Sequence, residues 1–150
     1  MKQIFKLTTI MLFTSVSSLM AQENSFIKDY LVRLENSRKY LILVAETMPE
    51  KQYNYKASPE SLSFAENLMH IGYAIDWHSQ SLLGERASRD WKTDTIFKVA
   101  NKSKVKMLST INKTFDEAIT LIKQFDISKF NDELDYFGLK RTKRQIFLLL

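Results

Sequence analysis

Cysteine is absent from the 150 residues. This excludes a disulfide scaffold, a lipoprotein anchored through cysteine, and thiolate catalysis by the protein itself. There are only three glycines and two prolines. An all-β fold needs many more sharp turns, so a few long helices are expected. Only two histidines are present, His70 and His78, and no H-x-x-x-H or H-E-x-x-H motif is written with them. A G-x-S-x-G elbow, a Walker loop and a G-x-G-x-x-G turn are also missing. Ser, His and Asp occur, but no spacing marks a triad.

What is present begins with an export signal. Lys2 and Lys6 form a positive start, and the 13 residues Leu7 to Leu19 carry no charge. Ala21 then precedes Gln22 and Glu23. This order matches a signal peptide over residues 1–21, cleaved after Ala21. The alternative is a membrane anchor, but the apolar run is short of the roughly 20 residues that span a bilayer. The expected location is therefore periplasmic or secreted, with no stable membrane insertion after cleavage. Cleavage removes Lys2 and Lys6 and takes the net charge from +5 to +3. That is too mild to imply a nucleic-acid partner.

The domain is read over residues 22–150, in four helical segments. The first covers Ser25 to Thr47, with Phe26, Tyr30, Leu34, Leu41, Val44 and Met48 on one stripe. Pro49 ends it. The stretch Glu50 to Leu62 is an ordered loop, because Tyr53, Tyr55 and Pro59 give it groups to pack. The second helix opens on a Ser63–Glu66 capping box and carries Phe64, Leu68, Ile71, Ile75 and Leu82 to Leu83. Gly84 stands where a left-handed C-terminal cap belongs. Ser88 to Ala100 is a connection. The third helix starts near Asn101 or Ser103 and runs to Phe125, with Val105, Leu108, Ile111, Phe115, Ala118, Leu121 and Ile122 at helical spacing.

A second capping box, Thr142 to Gln145, opens a fourth helix. Ile146, Phe147, Leu148, Leu149 and Leu150 follow, and five consecutive apolar residues predict a fully buried segment. No Gly, Asn or basic turn closes it. Two readings follow: a short hook that plugs the bundle, or a chain cut short relative to its fold. The second is the expectation.

The stripe of helix two centres the apolar face near His70. A histidine there is either a hydrogen-bonded core residue or a metal ligand. His78 is read as a partly exposed polar residue, too far along the helix to share one metal with His70. Asp76 faces away from His70. Lys98, Lys102, Lys104, Lys106 and Lys113 make the start of helix three basic. This reads as a solvated face or as a surface for an anionic partner or membrane, without the interleaved aromatics of a base-stacking surface.

Leu41, Pro49, Tyr55-Lys56, the Ser63 cap, Leu68-Met69-His70-Ile71, Gly84 and the run Thr142 to Leu150 together resemble the DinB-like family. That family includes the YfiT-like bacterial thiol S-transferases. The resemblance covers roughly Ser25 to Leu150. It implies an all-α, up-down four-helix bundle, here with an incomplete last helix, and often a homodimer. It also implies a divalent metal, nickel or zinc, held by three histidines. His70 matches the ligand of helix two; the other two come as an H-x-x-x-H pair on the last helix, after a stretch like Ile146 to Leu150. The sequence does not contain that pair, so tight metal binding by this chain is not expected. Two functions follow. One is a metal-dependent transferase or hydrolase acting on a small molecule, inactive in this chain. The other is a non-catalytic bundle that binds a partner or self-associates through the groove of the unfilled helix.

Overall fold

A computed structural model describes the backbone of residues 2–149 and the side chains of residue 22 and residues 25–149. The expected export signal falls on side chains outside the described ones. Helix α1 runs Lys2–Thr47. Among the described residues no helix is long and apolar enough to cross a membrane.

Pro49 ends α1 as expected, and the turn after it is tied down. The ammonium of Lys104 donates to the carbonyls of Glu46 and Met48, at 2.6 and 2.8 Å. A cation there satisfies terminal carbonyls and complements the negative end of the helix. Tyr53 is buried, and its hydroxyl donates to the Ala45 carbonyl at 2.6 Å. The loop from Glu50 to Leu62 is thus anchored, although Tyr55 is exposed.

Helix α2 spans Phe64–Asp76 behind the full Ser63–Glu66 capping box. It continues as a π-helical segment, Trp77–Leu83. His78 Nδ1 and Ser79 Oγ both bond carbonyls four residues back, those of Ala74 and Ile75. These bonds compete with the backbone ladder and accompany its widening. Gly84 does not take the left-handed cap predicted for it. Its φ is −91°, and Glu85 adopts the positive φ of 60° instead. Gly84 is small for another reason: a Cβ there would meet Leu121 Cδ1 and lie 2.8 Å from the Gln80 carbonyl.

Helix α3, Lys104–Lys123, is capped by Ser103. It lies between α1 and α2 and packs on both. Met107, Ile111, Phe115, Ala118 and Ile122 form its buried face, while Val105 is exposed. Arg38 of α1 reaches Asp116 of α3 at 2.5 Å and its own neighbour Glu35 at 2.7 Å.

The sequence reading assigned no strand, yet residues after α3 form a hairpin. Strand β1, Glu133–Tyr136, pairs antiparallel with β2, Leu139–Thr142, with Tyr136 opposite Leu139. The two-residue turn has positive φ at both Phe137 (54°) and Gly138 (78°). That pairing of signs suits the twist of a tight hairpin. Helix α4, Lys143–Phe147, follows directly behind the predicted Thr142–Gln145 box. Ile146 and Phe147 are fully buried, but Leu148 and Leu149 are 62% and 49% exposed. The expectation of a wholly buried apolar run therefore fails at its end among the described residues. The chain is an all-α bundle with one small hairpin inserted before α4.

Candidate functional site

Because α3 separates them, α1 and α2 face each other across an open groove. Its walls are Tyr30, Leu34 and Leu41 of α1 and Ile71 and Ile75 of α2; its floor is Phe115 of α3. The groove has a volume of about 420 Å³. Apolar side chains of α1 and α2 that find no helix between them are what make it.

One end of the groove is closed by α4. Phe147 packs edge-on against Tyr30, with ring centroids 4.9 Å apart. Arg33, which also lines the groove, donates to the Phe147 carbonyl at 3.0 Å and lies over the Tyr30 ring. The Tyr30 hydroxyl is buried without a hydrogen-bond partner. Burial pushes its pKa up to about 12, against the opposing pull of Arg33. An unpartnered buried hydroxyl costs about 1–3 kcal/mol.

His70 lies elsewhere. It is exposed, and its ring meets Trp91 edge-on with centroids 5.5 Å apart. The buried residues of α2 are Ala65, Leu68, Met69, Gly72, Ile75 and Asp76. At about 100° per residue their mean direction is roughly opposite His70. The apolar face is thus not centred on His70, as the hydrophobic stripe suggested. Two positions misled that count. Gly72 has no side chain, because Ile111 and Phe97 occupy the space a Cβ would take, at 2.6 and 3.0 Å. Asp76 is charged, yet only 2% exposed.

His78 is also corrected: it is buried, at 7% exposure. Its Nδ1 donates to the Ala74 carbonyl at 2.8 Å, which leaves the lone pair on Nε2. The Tyr136 hydroxyl, at 3.3 Å, donates to that lone pair. Burial holds the His78 pKa below the usual imidazole value, and the Ala74 bond opposes the shift. Both ring nitrogens are engaged, so His78 fastens the hairpin to α2 and is not a free ligand. Trp77 stacks on Tyr136 at 5.6 Å and strengthens the same contact.

Asp76, which the sequence reading only set aside as facing away from His70, is the buried charge of α2. Arg86 binds its carboxylate, and Arg89 Nε lies 3.2 Å from the same oxygen. Arg89 also reaches Asp94 at 3.4 Å. Asp94 in turn accepts the backbone N–H of Phe97 at 2.8 Å, setting a buried aromatic into the core. This latch holds the connection after Gly84 onto α2. The sequence signal was a charge at helical spacing from apolar neighbours, followed closely by two arginines.

With this geometry in place, residues 33–150 match the model of the DinB superfamily. The chain belongs to that superfamily. A DinB-like protein of Bacillus subtilis, YjoA, has a similar crystal structure, with a TM-score of 0.61 and 21% identity over 81% of this chain and 78% of that one. At that identity the likeness is one of fold. A comparison with curated proteins gives no match. DinB proteins are generally metal-associated. Among the described residues, however, no three His, Cys, Asp or Glu side chains come together to hold a metal ion. His70 has an aromatic neighbour in Trp91, and the Lys98 ammonium lies 4.0 Å from the centroid of the same indole. Among the described residues, the donors around His70 do not by themselves make up a metal site.

Proposed function

We propose that this DinB-superfamily chain works as a self-associating helical module, with the α1–α2 groove as its interface and a second copy of the chain as its occupant. The observation that carries this reading is the pairing of two unmet apolar surfaces in one molecule. One is the groove, whose rim includes Ile71 at 40% exposure, with exposed Tyr40 on the α1 side. The other is the exposed Leu148–Leu149 pair, next in the chain to Phe147 at the groove's closed end. A two-fold dimer presents each surface to its counterpart and closes without further growth. Contiguous apolar surface of this kind marks an interface or an aggregation liability.

The test is the oligomeric state of the full chain and of Ile71→Lys, measured by sedimentation equilibrium. The parent should be a dimer at about 100 μM, a concentration that populates an interface of micromolar affinity. Ile71→Lys should be monomeric with an unchanged helical spectrum, since position 71 is part-exposed and lysine is a good helix former. A monomeric parent, or a variant that still dimerises, overturns the reading.

A second reading rests on the superfamily itself: a divalent-metal-dependent transferase or hydrolase acting on a small molecule, with His70 as one ligand. Export to the periplasm or beyond belongs to this reading as well. Among the described residues His70 is the one imidazole with a free ring nitrogen, so this reading expects nickel or zinc to be held only weakly. Calorimetric titration with zinc and with nickel tests His70. Weak binding that disappears in His70→Ala supports the reading, whereas equal and negligible affinity in both removes His70 as a ligand in this chain.

A further inference from the structure

On the opposite side of α3, about half a turn from Phe115 by helical geometry, lies a second concavity unrelated to the groove. It is a cleft of about 330 Å³ between the connection that follows α2 and the first four turns of α3. Its volume falls within the range of small-molecule sites. Asp76 and Arg89 stand at its inner wall, Ile96 and Phe97 give it an apolar side, and Lys102, Lys106, Lys113 and three hydroxyl residues of α3 line the rest.

The charges in the cleft do not balance. Asp76 is already met by Arg86 and Arg89. Glu117 is paired with Lys113 at 3.7 Å. The Lys102 ammonium donates only to neutral carbonyls, those of Thr95 and Lys98. Lys106 has no side-chain partner among the described residues. Among the described residues, two cations of the cleft lining thus have no carboxylate partner. They also stand at the wrong end of a helix, because α3 has no acidic residue in its first turn and lysines there oppose the helix dipole. Lys104, their neighbour, is accounted for by its bonds to the end of α1. Among the described residues Lys102 meets only the two carbonyls of its own connection, and Lys106 meets no acidic group.

The hydroxyls add a second requirement. Thr110 donates its proton to the Lys106 carbonyl and Thr114 donates to the Thr110 carbonyl, both at 2.9 Å. Each side chain can then offer a ligand only oxygen lone pairs. Lysines supply positive charge, the threonines accept hydrogen bonds, and Phe97 and Ile96 supply an apolar wall.

The geometry points to a binding site in this cleft for a small organic anion that also carries hydroxyl groups, of the chemical class of a sugar phosphate. The anionic group lies between Lys102 and Lys106, and ligand hydroxyls donate to Thr110 and Thr114. The site is separate from the groove and does not depend on dimer formation or on a metal at His70.

Glucose 6-phosphate, inorganic phosphate and glucose serve as probes in separate NMR titrations of the full chain. Glucose 6-phosphate should bind saturably and shift the amides of Thr95 to Lys106 and Ser109 to Thr114. Phosphate should bind at least roughly fivefold more weakly, and glucose should produce no saturable shift, because each carries only part of the recognition. Lys106→Gln should weaken glucose 6-phosphate about tenfold, the loss of one charge-assisted contact. Lys140→Gln, a surface lysine on the hairpin, should leave it unchanged. The proposal is overturned if glucose 6-phosphate gives no shifts in the cleft, if phosphate binds as tightly, or if Lys106→Gln and Lys140→Gln behave alike.

Discussion

Replacing Phe147 by alanine is expected to destabilise the fold by about 3–5 kcal/mol, the range for truncating a fully buried aromatic. Phe147 is wholly buried and is the hub of an aromatic cluster. Its ring lies 5.8 Å from Phe26, 4.9 Å from Tyr30, 5.1 Å from Phe125 and 5.6 Å from Phe130, each contact edge-to-face. Edge-to-face pairs contribute about 0.5–1.5 kcal/mol each beyond area burial. These partners come from α1, the chain just beyond α3 and the 3-10 turn Ile127–Asn131 before β1, so one side chain joins three parts of the chain to α4. The five-residue α4 is too short to persist alone. Truncation should therefore release α4 and uncover Tyr30, as well as lower the urea midpoint. Leu148→Ala, next in the chain but exposed, should change stability by no more than about 0.5 kcal/mol. Urea unfolding of both variants decides the matter. A loss below about 1 kcal/mol for Phe147→Ala would show that the cluster does not hold α4 in place.

The second large effect is expected at Asp76. Removing one partner of a fully buried ion pair costs about 3–5 kcal/mol, because the remaining charge is left in a poor solvent. Here the carboxylate side chain is 3% exposed, but Arg86 and Arg89 are 36% and 30% exposed and can recover water. The expected loss for Asp76→Asn is accordingly smaller, about 2–3 kcal/mol. It should be concentrated in the connection after α2, where the two arginines anchor the chain and Asp94 positions Phe97. Amide exchange should accelerate between residues 86 and 97 more than in α1. Uniform acceleration throughout the chain, or a loss below about 0.5 kcal/mol, would count against a local latch.

The helix ends were legible because they are written in chemistry only three or four residues wide. Ser63 with Glu66, Thr142 with Gln145, Ser103 alone and Pro49 each act on the adjacent backbone, and each ends or starts a helix where the sequence placed it. The apolar stripe of α3 was legible for the same reason, apart from exposed Val105. The hairpin was not. Its strands are four residues each; β1 alternates between exposed and half-buried positions, but β2 does not, and neither is long enough for alternation to declare it. Asp135 and Gly138 around an aromatic pair were the only turn signal, and Phe137 is an unusual occupant of a positive-φ position.

The candidate site was less legible than the fold. His70 was singled out by its type and by a resemblance; in the fold it is exposed and its ring lies edge-to-face with the half-buried Trp91. His78 was set aside as polar, yet the π-helical segment and Tyr136 bury it. Neither partner could be read from spacing, since Tyr136 lies 58 residues away.

By itself, then, the sequence determined the helical class, the capped starts of α2, α3 and α4, and the family, because local hydrogen bonding and hydrophobic period act over one or two turns. The tertiary structure decided which side of each helix is interior. On α2, Gly72 and Asp76 belong to the buried face, one because α3 approaches its backbone and the other because two arginines from a later segment neutralise it. It also decided that α1 and α2 are held apart by α3, leaving a groove on one side of α3 and a basic cleft on the other. Those features depend on contacts between residues far apart in the chain, which no local pattern encodes.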